Sequence, residues 1–288
     1  MPASLIGFCR FSFFGPSDTK LSYKDKEDAF QKLYDPRRME TRFTLLEKLL
    51  LPCVRAQTDQ DFQLVMLTSK VMPETFRTRL KSLCSDIPQI EVVEAESEDL
   101  GKELRRYTTD GDLTRDGLMQ FRIDDDDALS IKYIERLRHW AAHVPHRTIL
   151  TMPKGLMLFD DQNGIHCHPM YRNLTGAGYA FYTSGATRKT AFSFAHIASG
   201  RRIPYVSDPT IHSFIQTFTA SSDTAFRAPR KIRKFLEASG VRADDDTTDE
   251  VKGILESHFP HLDLTSLKKI QAEAQGLDPA LAEVTKAA

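Results

Sequence analysis

Four consecutive carboxylates, Asp124-Asp125-Asp126-Asp127, follow the mostly apolar stretch Phe121-Arg122-Ile123. Like charges this close repel and raise one another's pKa, so the run needs a counter-charge. A hard divalent cation, Mg²⁺ or Mn²⁺, supplies one through carboxylate oxygen and keeps coordination positions open for substrate phosphates. Extended backbone sends alternate side chains to opposite faces. Asp124 and Asp126 are therefore expected to point together, with Asp125 and Asp127 opposite, orienting the loop or capping a following helix. A capping cluster on a wet turn is the plainer alternative. Four carboxylates directly behind a hydrophobic strand exceed what a cap needs, and the pattern suggests metal and nucleotide binding.

Other residues offer chemistry beside a plainer role. Asp208, before Pro209, reads as an acceptor-side general base or as the N-cap of a helix. Asp160 and Asp161 are further carboxylates that suit a hairpin turn. Arg201 and Arg202 could clamp a diphosphate bidentately or sit in a solvated loop. Lys70 and Arg122 are cations near strand ends. His166 and His168 share one strand face, but two histidines rarely make a zinc site alone. Lone histidines such as His196 and His212 are ordinarily hydrogen-bonded groups. Arg227, Arg230, Lys231, Arg233 and Lys234 form a basic run, read as a wet helix face or a dock for acidic headgroups or polysaccharide. Trp140 lies on the apolar side of its segment and reads as core.

The elements that must position these residues alternate between strand and helix. Leu5–Cys9, Phe62–Leu67, Ile90–Val93 and Met119–Ile123 have strand length and composition. Ser17–Lys32 is polar and reads as a loop or lid. Phe43, Leu46, Leu50 and Val54 recur at helical spacing, predicting a helix over Met39–Ala56 that Pro52 bends or ends. Pro73 and Glu74 suit a helix start, with Phe76, Leu80 and Leu83 on its buried face. Ile131, Ile134, Leu137, Ala141 and Val144 form another helical stripe. This order predicts an α/β fold with a mostly parallel sheet flanked by helices, its strand C-termini along one ligand-binding edge. After Pro145 the pattern changes to short strands at Thr148–Phe159, Ile165–His168, Gly178–Thr183 and Thr190–Phe194, with an Asn-Gly turn signal at Asn163-Gly164. Beyond Ala220 the chain reads as polar and helical, with an acidic run at Asp244–Asp246.

Composition bounds the answer. The 288 residues are 41% hydrophobic and 27% charged, which excludes a disordered or collagen-like chain. Thirty-nine basic side chains balance 40 acidic ones, so no global field draws the protein to nucleic acid. The four cysteines lack CxxC spacing and read as reduced thiols of a cytosolic protein. No run of 18 apolar residues predicts a membrane span.

The segment Leu51-Pro52-Cys53-Val54-Arg55-Ala56-Gln57-Thr58-Asp59-Gln60-Asp61-Phe62 resembles the Gln-Thr segment of GT-A fold glycosyltransferases of the family 2 type. Arg122–Leu129 resembles their DxD region. With the opening Gly7-Phe8-Cys9-Arg10-Phe11-Ser12, the chain is most similar to a bacterial rhamnosyltransferase family over roughly residues 4 to 225. The resemblance implies a GT-A-like domain over 1–220, rich in β-hairpins in its second half, and a helical C-terminal extension over 221–288. It implies a nucleotide-diphosphate-sugar donor, a saccharide or lipid-linked acceptor, a divalent metal and transfer with inversion. Carried over by position, Asp124 and Asp126 lie near the donor's ribose and the diphosphate-bound metal, Arg10 lies near the nucleotide, and His196 is a candidate further metal ligand. Asp125, Arg122 and Arg202 complete the expected donor site. The sequence departs from the family 2 pattern at Leu67-Thr68-Ser69-Lys70, where an Asp-Asp-Gly-Ser run is common. A Trp and a His that some relatives carry near Phe214 and Phe218 are absent. The expected protein is cytoplasmic, with contact at the inner membrane face left open. A non-catalytic sugar- or nucleotide-binding scaffold is the alternative. A nucleotidyltransferase would carry a Gly-rich phosphate loop, and residues 7–20 hold only Gly7 and Gly15.

Overall fold

The computed structural model describes residues 3–15, 24–161, 164–219, 234, 236–238 and 246–276. In chain order the elements are β1 (Ser4–Arg10), α1 (Lys26–Leu33), α2 (Pro36–Leu45), α3 (Leu51–Arg55), β2 (Gln63–Ser69), α4 (Glu74–Cys84) and β3 (Ile90–Ala95). Next come α5 (Leu100–Thr108), α6 (Gly111–Thr114), β4 (Leu118–Asp124), β5 (Ala128–Leu129), α7 (Tyr133–Ala141) and β6 (Thr148–Thr151). The rest are β7 (Lys154–Asp161), β8 (Gly164–Tyr171), β9 (Tyr179–Thr183), α8 (His196–Ser199), β10 (Tyr205–Ser207), β11 (His212–Phe218), α9 (Thr248–His258) and α10 (Leu264–Ala274).

The apolar strands assemble into a seven-stranded sheet of order β10-β6-β9-β4-β1-β2-β3. β9 alone runs antiparallel to its neighbours, so the other six strands end on one edge. Arg10, Ser69, Ala95, Asp124, Thr151 and Ser207 are the residues that reach it. β1 and β4 lie at the centre and are buried on both faces, which is why they read as near-continuous hydrophobic runs. Gly7 pairs with Phe121 across them, and a Cβ on Gly7 would fall 2.3 Å from the Phe121 ring. Glycine there lets that ring lie flat across β1.

A second sheet, β5-β11-β7-β8, stands behind the tip of β4. Its hairpin β7–β8 joins Asp161 to Gly164 through residues 162–163, and Gly164 adopts φ +122°. α9 and α10 cover this sheet. Val251, Leu255, Phe259 and Leu267 share one core with Leu156, Leu158, Ile215, Leu45 and Leu49.

Four expectations change. Of the polar stretch read as a loop or lid, residues 17–23 lie outside the described residues, and the rest forms α1 over Lys26–Leu33, because the Asp25 side chain caps it by accepting from the Asp28 N–H. The helix predicted over Met39–Ala56 begins at Pro36, capped by Asp35, and Pro52 does not end it. A wide turn at Leu46–Leu50, in which the Leu51 N–H donates to the Leu46 carbonyl, makes room for the proline ring. The strand predicted over Thr148–Phe159 divides into β6 and β7 at Met152-Pro153, each half joining a different sheet. Thr190–Phe194 is a turn, closed by Ser193 N–H to the Thr190 carbonyl, and its apolar side chains serve the site described next. Most of the basic run Arg227–Lys234, together with Asp244 and Asp245, lies outside the described residues.

Candidate donor site at the tip of strand β4

The aspartate run is a turn. Asp124 ends β4, and the Asp127 N–H donates back to the Asp124 carbonyl. The expectation that extended backbone pairs Asp124 with Asp126 on one face is therefore overturned. The four carboxylates take three different surroundings.

Asp124 faces the sheet edge. Its side chain is 36% exposed, against 1% and 10% for Asp125 and Asp126. Arg10, its register partner on β1, places Nη2 3.9 Å from Oδ1, and Arg122 places Nη2 3.8 Å from the same oxygen. Both guanidinium groups rest on the Phe192 ring, 4.8 and 4.4 Å from its centroid. That is cation–π distance on both counts. Burial alone would raise the Asp124 pKa, but Arg122, Arg10 and Arg42 outweigh it and hold the carboxyl below its ordinary value. Contacts near 3.9 Å are ion pairs, too long for hydrogen bonds. Gly176 lies against the Arg122 guanidinium, which a Cβ would meet at 3.7 Å.

Asp125 and Asp126 turn inward and share Arg42 of α2, at 3.0 and 2.5 Å from Nη1. Burial pushes the Asp125 carboxyl up to about 7, against the pull of Arg42 and with Asp126 adding to the rise. Arg38, one turn earlier on α2, adds positive potential at Asp125 while donating to Ser12 Oγ and the Leu33 carbonyl. Asp127 accepts from the Thr217 N–H on β11, and Thr217 Oγ1 donates to the Asp126 carbonyl. Burial and the neighbouring Asp126 and Asp124 raise its pKa. The compensation that the sequence assigned to a cation thus comes in large part from Arg42.

His196 opens α8 beside this edge. Its Nδ1 lies 2.6 Å from the Leu174 carbonyl. Burial and then Arg122 depress its pKa, so the ring is neutral, with Nδ1–H donated and Nε2 left as the acceptor edge. Among the described residues no group of three or more His, Cys, Asp or Glu side chains could hold a metal ion. Mg²⁺ in phosphate sites is commonly held by one or two protein carboxylates plus the substrate's own oxygens. Asp124 with the Nε2 edge of His196 fits that lesser requirement. Asp126, as placed, is ion-paired to Arg42.

Asp208 lies elsewhere. It follows β10, is buried, and both its oxygens are taken. Oδ1 accepts from Thr210 N–H and Oγ1, and Oδ2 accepts from Arg136 and from Trp140 Nε1. Burial opposes these bonds but loses, and the carboxyl is lowered to about 2. A general base needs a free lone pair and a pKa nearer the working pH, so the geometry speaks for a structural tie. Trp140, read as core, also donates into that tie. Arg201 and Arg202 are exposed on the turn after α8. Lys70 pairs with Glu96, and Asp160 accepts from Gln275. The His212 ring lies 5.5 Å from that of His258, tilted against it, away from Asp124 on the second sheet, and burial with His258 lowers it to about 4. His166 and His168 do share a face, in a stack with Phe159.

The sequence reading missed Arg42 and Phe192. Arg42 had a signal: it sits three residues after Met39 and four before Leu46, on the buried stripe of α2. The Gln-Thr motif turns out to be a fastener. Gln57 Nε2 donates to the Cys53 and Ser130 carbonyls, and Oε1 accepts from the Ile134 N–H at the start of α7. Thr58 bonds the Ile131 carbonyl. Together they lock the segment that leaves the aspartate turn.

The model of a family described as "Putative rhamnosyl transferase" matches residues 4–231. The chain belongs to this family. It is a transferase of the glycosyltransferase type, built on the mostly parallel sheet described above. Among solved structures, Staphylococcus aureus TarS residues 1–349 in complex with UDP-GlcNAc is 9% identical, at TM-score 0.43, covering 94% of this chain and 71% of that one. The mannosyltransferase PcManGT from Pyrobaculum calidifontis, in complex with GDP-Man and Mn²⁺, is 12% identical at TM-score 0.41, covering 99% and 78%. No residue role here rests on likeness at that level. A search of curated proteins finds no match.

Proposed function

We propose that this family member moves a sugar, rhamnose by the family's description, from a nucleotide-diphosphate donor to an acceptor hydroxyl, with Asp124 as the centre of the donor site. The supporting observation is one carboxylate, open at the sheet edge, between two guanidinium groups that both lean on Phe192. A sugar diphosphate leaves only if the charge growing on its bridging oxygen is neutralised. Arg10 and Arg122 bring two guanidinium groups of the planar kind suited to phosphate oxygens to this edge, and the Asp124 carboxylate is suited to accept from ribose or sugar hydroxyls.

Asp124 and His196 Nε2 would hold Mg²⁺ or Mn²⁺, which when bound would neutralise part of the leaving diphosphate's charge. In the transfer the bond from the anomeric carbon to the diphosphate oxygen breaks. The acceptor oxygen bonds that carbon and its proton passes to solvent, so the products are the glycoside, the nucleoside diphosphate and a proton. We keep inversion as the stereochemical course on the family resemblance, and the anomeric configuration of the product, read by NMR, decides it. Asp208 is a structural carboxylate in this reading. We place the reaction in a reducing compartment on the four cysteines, which are free and buried. No helix among the described residues is long and apolar enough to cross a membrane.

The test is slow donor hydrolysis without acceptor, measured across UDP-, GDP- and dTDP-sugars with Mn²⁺. Turnover of at least one donor that falls at least tenfold in Asp124→Asn is the expected result. No turnover of any donor would favour a binding scaffold.

A further inference from the structure

We propose that Tyr205, Ile197 and the Asn173–Ser207 pair form the platform that receives the acceptor, and that this acceptor is a saccharide of more than one ring. The inference rests on the donor site proposed above and adds the class of the second substrate.

The register places this surface. Tyr205 pairs with Ile149, Ile149 with Phe181, and Phe181 with Gln120. Arg122 and Ser207 each stand two residues further toward the same edge, so they share one face of the sheet. Three strand spacings separate them, about 14 Å. Ser207 and Arg122 therefore end one face of the sheet about an oligosaccharide length apart, with α8, which carries His196, on the same side.

Its chemistry is that of a sugar-binding face. Tyr205 is 44% exposed and Ile197 57%, two of the few large exposed apolar side chains among the described residues. A Cβ on Gly200 would meet the Tyr205 ring at 3.1 Å, so the ring lies close over that glycine while much of it stays open. Ile197 stands three residues before Gly200, about one helical turn away. Ser207 Oγ donates to Asn173 Oδ1 at 2.6 Å in the open, and the amide N–H₂ of Asn173 remains a donor for hydroxyls. A pyranose presents an apolar C–H face and an equatorial ring of hydroxyls. An aromatic ring with an adjoining amide and hydroxyl meets both. The same α8 carries His196, whose Nδ1 is anchored on Leu174, the residue after Asn173. One short segment therefore links the two substrates.

The experiment is saturation-transfer NMR on the full chain with trisaccharides of glucose, N-acetylglucosamine, mannose and rhamnose, and with UDP and dTDP on the same samples. The expected result is saturation of ring protons of at least one trisaccharide, weakened at least threefold in Tyr205→Ala and unchanged in Val71→Ala, an exposed apolar control elsewhere. Nucleotide signals should be equal in all three proteins. Trisaccharide binding equal in Tyr205→Ala, or absent from the wild type, overturns the platform. A wild-type dimer in sedimentation that Tyr205→Ala dissociates also overturns it, by showing a second copy on this face. Silent nucleotides with Tyr205-dependent sugar binding would sink the donor site and leave the platform standing.

Discussion

At the scale of single residues, the arrangement turns on how four adjacent carboxylates are kept apart. One stays open, two share a buried guanidinium and one bonds a backbone N–H. Removing one partner of a buried ion pair strands the other charge, at a cost of roughly 3–5 kcal/mol. Arg42→Met is expected to lower the melting temperature sharply and to disturb the Asp124 turn. Arg42→Lys keeps the charge but cannot reach two carboxylates from a fixed planar fork, and should recover only part of the loss. Thermal denaturation of both variants checks this. A methionine variant as stable as the wild type would show that Arg42 does not hold the turn.

At the scale of elements, the same logic explains Asp208. Its five accepted bonds tie α7, through Arg136 and Trp140, to the end of β10. Asp208→Asn should cost roughly 2–4 kcal/mol. The pH dependence follows in sign. The folded carboxyl is lowered to about 2, from an ordinary 3.8. Its contribution is therefore complete above the unfolded value and lost as pH falls through the folded one. The stability gap between wild type and variant should be constant near neutrality and narrow from about pH 4 toward pH 2, in denaturant titrations. Donor hydrolysis should survive in the folded variant, whereas a general base would lose it.

The elements also show how much of the fold was legible. Strands β1, β2 and β4 announced themselves because a parallel central strand is apolar on both faces, and the edge strand β3 showed as the short run Ile90–Val93. The aspartate run marked the sheet edge correctly. Its internal geometry was hidden, because a tight turn and an extended tip have the same sequence and only the Asp127-to-Asp124 bond separates them. Arg42 was hidden by distance, lying over 80 residues before its partners. Phe192 was visible as an apolar residue but its use was not. A ring that supports two arginines and a ring in a strand look alike in one dimension.

At the scale of the molecule, the C-terminal helices belong to the same packed core as the second sheet. Val251, Leu255, Phe259 and Leu267 are buried there, and Thr41 Oγ1 donates to the Ala274 carbonyl, bracing the helix that carries Arg42. Burying four such side chains is worth roughly 6–12 kcal/mol, comparable with the whole stability of a domain. A chain ending at residue 246 should lose its cooperative thermal transition. A truncated protein that melts like the full chain would show that α9 and α10 are dispensable.

The most direct measurement is calorimetric titration of the full chain with UDP, GDP and dTDP in the presence of Mn²⁺. The account expects saturable binding of at least one nucleoside diphosphate, weakened tenfold or more by Arg122→Ala and by Asp124→Asn. Affinity unchanged in both variants, or no binding by the wild type, would contradict a donor site at the tip of β4.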